Sequence, residues 1–169
     1  MAQPTINATT GSDTANSYST RQEADTYHDT HLYGDSWASA DGWKKASALI
    51  WATRLLDEQL SWLGTKASST QALRWPRTDV MDADGYEFPS TSIPVWLRNA
   101  TAELARYLLT EDRTAERGYG LKRVTADVVE VEFDSADEKP ILPPSVRSMI
   151  GAYGSVQGGA QGWVKLQRV

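Results

Sequence analysis

His28 and His31 stand three residues apart, one helical turn from each other, with Asp25 and Asp29 beside them. That spacing can hold a metal ion, but a site needs a third strong ligand from elsewhere, and nothing in the sequence points to one. Ordinary surface or half-buried histidines are the expectation. Asp79, Asp82 and Asp84 before Gly85 invite comparison with a calcium loop, whose ligands alternate and whose last position is a glutamate. Here Val80 occupies the first ligand position and Thr91 the last, so a turn is expected. No GxSxG elbow, P-loop, strand-borne GxGxxG or HExxH is present. The pairs Asp57-Glu58 and Glu111-Asp112 read as solvated charge on helix surfaces. The expectation is a protein that is not an enzyme and has no metal or cofactor.

A second set of residues bears on nucleic acid. Lys44, Lys45 and Arg54, Arg74 and Arg77 flanking Trp75, and Lys122 with Arg123 could build a basic, aromatic surface on which single strands stack. The charge balance opposes this, since 17 Lys+Arg against 22 Asp+Glu give a net charge of −5, whereas a surface that grips phosphates leans positive. The other use of Arg74, Trp75, Pro76 and Arg77 is as an anchor at a protein contact, where tryptophan and arginine are favoured, and that use is preferred here. Trp163, Val164, Leu166 and Val169, on an extended tail after the glycine-rich stretch 151–162, are assigned the same docking role.

The elements that position these residues follow from hydrophobic period. Ser19 with Gln22 suggests a cap for a helix from Thr20 to about Leu32, with Ala24, Tyr27, His31 and Leu32 inward. Ala46, Leu49, Ile50, Thr53 and Leu56 recur at helical spacing, so a long helix runs from Asp41 to about Leu60 or Leu63, ended by Gly64. Trp43, Trp51 and Trp62 do not share one narrow face of it. Ser92-Ile93-Pro94 opens a third helix through about Asp112, with Leu97, Ala100, Leu104, Tyr107 and Leu108 inward. The period then shortens to two, and Leu121–Phe133 reads as a β-ribbon. A short helix starts near Pro143 and runs to Ile150. The fold class is therefore mainly α: a small helical bundle with a short β-ribbon and extended arms. An N-terminal arm covers 1–17, the bundle with its ribbon at about 121–133 covers 18–133, and a linker, short helix and tail cover 134–169.

Composition bounds the rest. The 169 residues, 40% hydrophobic, suit one compact domain, and the absence of cysteine excludes disulfides and thiolate metal sites. No apolar run approaches the roughly 20 residues of a membrane span, and the polar N-terminus lacks a secretion signal. A soluble protein of the cytoplasm, without membrane partners, is expected.

Ala15-Asn16-Ser17-Tyr18, the Ala24, Asp25, Tyr27, His28 helix, Trp37, Ala48-Leu49-Ile50, Ala52-Thr53, Thr70 to Arg77, Asp84-Gly85-Tyr86, Ile93-Pro94 and Ala102 to Ala105 together resemble a known family. It is that of the phage proteins labelled DnaT-like single-stranded DNA-binding, encoded among tailed-phage head genes and similar to head-tail connector adaptors. The resemblance spans roughly Ala15 to Phe133. It implies a structural adaptor of the virion neck: a homo-oligomeric ring, a dodecamer, under the portal protein. Such a ring meets a downstream tail, stopper or nozzle protein and lines a channel through which double-stranded DNA passes without specific binding. The alternative is a single-stranded-DNA-binding replication accessory protein, which would bind oligonucleotides in a salt-sensitive way.

Overall fold

The computed structural model describes residues 4–115, 123–126, 129–132 and 140–157. Among them the architecture is mainly helical with short two-stranded sheets, as the sequence predicts. The first helix, α1 (Arg21–Asp29), is opened by Thr20, whose hydroxyl accepts the Glu23 N–H while the Glu23 carboxylate accepts the Thr20 N–H. The cap thus lies one residue later than Ser19, which is buried. The helix stops at Asp29, and Leu32, expected inward, is 83% exposed beyond it. One turn of helix, α2 (Asp35–Ala38), then carries Trp37 into the core, where its indole N–H donates to Asp25 at 2.8 Å.

The long helix α3 (Gly42–Gln59) starts where Asp41 accepts the Lys44 N–H, a side-chain cap on one of the orphan donors of the first turn. Its Ala46, Leu49, Thr53 and Leu56 are buried and Ile50 sits at the margin, so the apolar stripe read from spacing is the real one. It ends at Gln59, at the nearer of the two expected limits, where Leu60 leaves it for an extended segment, β1 (Leu60–Trp62). Gly64 is not a helix terminator. With φ of +67° it turns the chain into β2 (Thr65–Lys66), which pairs antiparallel with β3 (Arg77–Thr78). A Cβ at Gly64 would lie 2.1 Å from the Thr78 carbonyl oxygen, so the close approach of the two segments requires glycine.

After an irregular stretch with one bridge between Met81 and Glu87, Pro94 leads into α4 (Val95–Leu108). Ser92 gives it no cap, and it ends before the expected Asp112. Leu97, Ala100 and Leu104 are fully buried, and α4 packs against α1, α3 and the short α5 (Pro144–Ile150). Between α4 and α5 the predicted ribbon is present as β4 (Arg123–Ala126) paired antiparallel with β5 (Val129–Glu132), in a register that sets Val124 opposite Val131. The last described strand, β6 (Gly154–Val156), lies in the glycine-rich stretch and pairs antiparallel with β1, Leu60 opposite Val156.

The described part of the N-terminal segment is also built in. The Asn7 N–H donates to the Asn16 side chain, the Asn16 amide donates back to the Thr5 carbonyl, and the Ala72 N–H donates to the Ser12 carbonyl. Its polar composition supplies hydrogen-bond partners for its own loops, and Ala15, Ser17 and Tyr18 are buried. No described helix is long and apolar enough to cross a membrane.

Candidate nucleic-acid interface

Trp75 and Arg77, expected at a contact with another protein, are buried in the chain's own core. Trp75 is 1% exposed and joined to Pro76 by a cis peptide bond. Its ring packs edge-on against Trp62, Trp96 and Phe88 at centroid distances of 6.0, 5.3 and 6.2 Å, and Trp96 stacks in turn on Tyr153 at 4.3 Å. Edge-to-face contact of this kind adds to the burial of large aromatic area. The Arg77 guanidinium donates to the carbonyls of Leu63, Gly64 and Arg74, so its donors are used in tying the 63–77 loop together. Of Arg74, Trp75, Pro76 and Arg77 only Arg74 is exposed.

A buried polar latch holds the segment on α3. The Tyr18 hydroxyl donates to Asp57 on α3 and accepts the Trp75 N–H at 3.2 Å, while the second Asp57 oxygen accepts the Arg74 N–H at 3.1 Å. Burial raises the Asp57 carboxyl despite these donors, and burial beside Asp57 pushes the Tyr18 hydroxyl well above its ordinary value. The pair is a structural clamp, each atom facing a partner within the chain.

The outward face of α3 is different. Trp43 and Trp51 are 42% and 38% exposed, and Lys44 and Arg54 stand exposed beside them. Trp43, Ser47, Trp51 and Arg54 follow one another at four, four and three residues, the spacing of one helix face. The Arg54 guanidinium lies over the Trp51 ring, 5.1 Å from its centroid. Arg74 is exposed, and its backbone N–H is fixed to Asp57, one turn beyond Arg54. Among the described residues none of Lys44, Arg54 and Arg74 forms an ion pair, whereas Lys45, Arg98, Arg106 and Arg113 are paired with Asp25, Glu23, Glu103 and Glu111. Exposed Glu58 marks the acidic limit of the row. Sequence alone marked the cations of this face, and of its tryptophans showed only that Trp43, Trp51 and Trp62 do not share one narrow face. The detectable signal was the eight-residue separation of Trp43 and Trp51 on a helix whose other side was already fully apolar.

The remaining candidates have local explanations. His28 is buried, and one ring nitrogen pairs with the Ala102 carbonyl at 3.0 Å. His31 faces Glu103. Asp82 accepts the N–H groups of Asp84 and Tyr86, the hydrogen bonding of a turn. Among the described residues no cluster of histidine and carboxylate suits a metal ion. Lys122, Trp163, Val164, Leu166 and Val169 lie outside the described residues.

The family model described as "Putative DnaT-like ssDNA binding protein" matches residues 5–169. No curated protein matches the chain, and no solved structure does. The family match overturns the head-tail connector identity: the family is one of single-stranded-DNA binding and not a connector family. The portal, tail and ring partners and the passive double-stranded DNA channel fall with it. The negative net charge weighed against a phosphate-binding surface, but a sum over the whole chain does not describe one face. Lys45, Arg98, Arg106 and Arg113 are neutralised in ion pairs, whereas among the described residues Lys44 and Arg54 on α3 and Arg74, whose backbone N–H is bound to Asp57, are exposed and make no ion pair.

Proposed function

The chain belongs to the family of DnaT-like ssDNA binding proteins, and from that premise we propose that it is a single-stranded-DNA-binding accessory protein that acts by binding and not by catalysis. The observation that carries this is the exposed Trp51 ring with the Arg54 guanidinium over it, on a helix face that also presents Trp43 and Lys44. Single-strand binders without sequence preference combine cations that follow the backbone with aromatic rings on which bases stack. Double-stranded DNA offers phosphates but no free base faces, so a site of this kind prefers the single strand. The buried Tyr18 and Asp57 are engaged with each other and with the 74–75 backbone in the clamp.

The affinity should be modest and sensitive to salt. Three cations neutralising three phosphates give a slope of log K against log salt of about −2. Fluorescence anisotropy of a labelled oligothymidylate, with the duplex of equal length as comparison and salt as the variable, measures this directly. A slope of about −2 with weaker duplex binding is expected. Equal affinity for duplex and single strand, or no binding at low salt, would remove the assignment.

A further inference from the structure

We propose that the single strand is held along a composite row made by α3 and the 74–76 segment anchored to it at Asp57, with bases stacking on Trp43 and Trp51 and phosphates meeting Lys44, Arg54 and Arg74. This rests on the function proposed above and places it on particular side chains. Trp43 and Trp51 are separated by eight residues on one face, which at the helical rise sets the rings about 12 Å apart along the axis. Lys44 to Asp57 spans about 20 Å on the same measure, and Asp57 is where Arg74 is attached by its backbone N–H. At about 3.4 Å per stacked nucleotide the row accommodates about six nucleotides.

The two segments are joined in a way that makes the row rigid. Asp57 holds Arg74, Tyr18 holds both Asp57 and Trp75, and Trp75 is locked in the aromatic core, so the Arg74 backbone cannot drift from α3. Arg54 is pre-placed over Trp51. Rigid aromatic and guanidinium groups lose little freedom on binding, which favours a short site. Other exposed cations do not share these properties: Arg147 sits on α5 and Arg21 on α1, and no aromatic ring lies under either among the described residues.

The test uses the full chain, oligothymidylates of three to twelve nucleotides, and the variants Trp51→Ala, Trp51→Phe, Arg74→Ala and Arg147→Ala, with thermal melts to confirm that each folds as the parent does. Affinity is expected to rise with length and level off at about six nucleotides. Trp51→Ala should lose about fivefold or more, the lower range for removing one stacked base, and Trp51→Phe should regain most of it. Arg74→Ala should make the salt slope about 0.7 less steep, as for one phosphate contact. Arg147→Ala should bind as the parent. If the parent binds single strands but Trp51→Ala and Arg74→Ala bind equally well, this row is not the site while the proposed function stands. If the parent does not bind, both fall together.

Discussion

Trp75 is the residue whose role changes most between sequence and structure. A tryptophan between arginines, before a proline, has the composition of an interface anchor, yet its ring is spent on Trp62, Trp96 and Phe88 inside the same chain. Trp75→Ala should therefore cost about 3–5 kcal/mol of stability, the usual range for deleting a buried large aromatic, seen as a large drop in the denaturant midpoint of the isolated protein. A loss under 1 kcal/mol would mean the ring is dispensable to the fold. His28 provides a second test at this scale. Burial holds its imidazole below the ordinary value, with Arg106 and His31 acting in the same direction and the Ala102 carbonyl and Glu103 opposing. An unfolded histidine takes up its proton near pH 6.5, whereas the folded site resists it. The unfolded chain then binds more protons, so this contribution to stability is complete above about pH 6.5 and is lost as the pH falls. Melting temperatures should decline between about pH 7 and 5, and less steeply in His28→Gln. Asp57, raised by burial, works in the opposite sense at lower pH, which makes the comparison with the variant necessary.

At the scale of elements, what could be read from the sequence was local. The inward stripe of α3, the burial of Leu97, Ala100 and Leu104 on α4, and the two-residue period behind β4 and β5 are patterns that neighbouring residues carry by themselves. What escaped depends on residues far apart in sequence. Leu60 leaves the helix because β6 lies alongside, and nothing near Leu60 says so. Thr5 to Ser19 looks like an arm because it is polar, yet its asparagines and serines are the hydrogen-bond partners of its own loops and of residue 72. The candidate interface was half legible: the cations of α3 stand out in the sequence, but that Trp43 and Trp51 remain uncovered depends on which faces α4 and the 71–76 segment take. Gly64 shows the same division, since a helix end and a tight strand turn both favour glycine. Gly64→Ala should destabilise by more than the roughly 1 kcal/mol that an ordinary glycine replacement at positive φ costs, because its Cβ also meets the Thr78 carbonyl. Chemical denaturation of the variant checks this, and an unchanged midpoint would show that the β2–β3 turn relaxes.

For the whole molecule, the proposed binding face and the packed core are separated in space. Inward-facing aromatics from β1, the 75–96 region and the 153 position hold the chain together, while Trp43 and Trp51 stand exposed on the far side of α3. The pairing of β1 with β6 has a consequence for how the chain comes to be folded. Leu60 meets Val156 across more than half of the sequence, and Tyr153 stacks on Trp96. Contacts of such long separation form late, because a large loop must close before they repay its entropy. During synthesis, then, a ribosome would hold a bundle with its aromatic centre open until the last stretch emerged, and a product released at residue 140 should be degraded by added protease at many sites where the full-length chain resists.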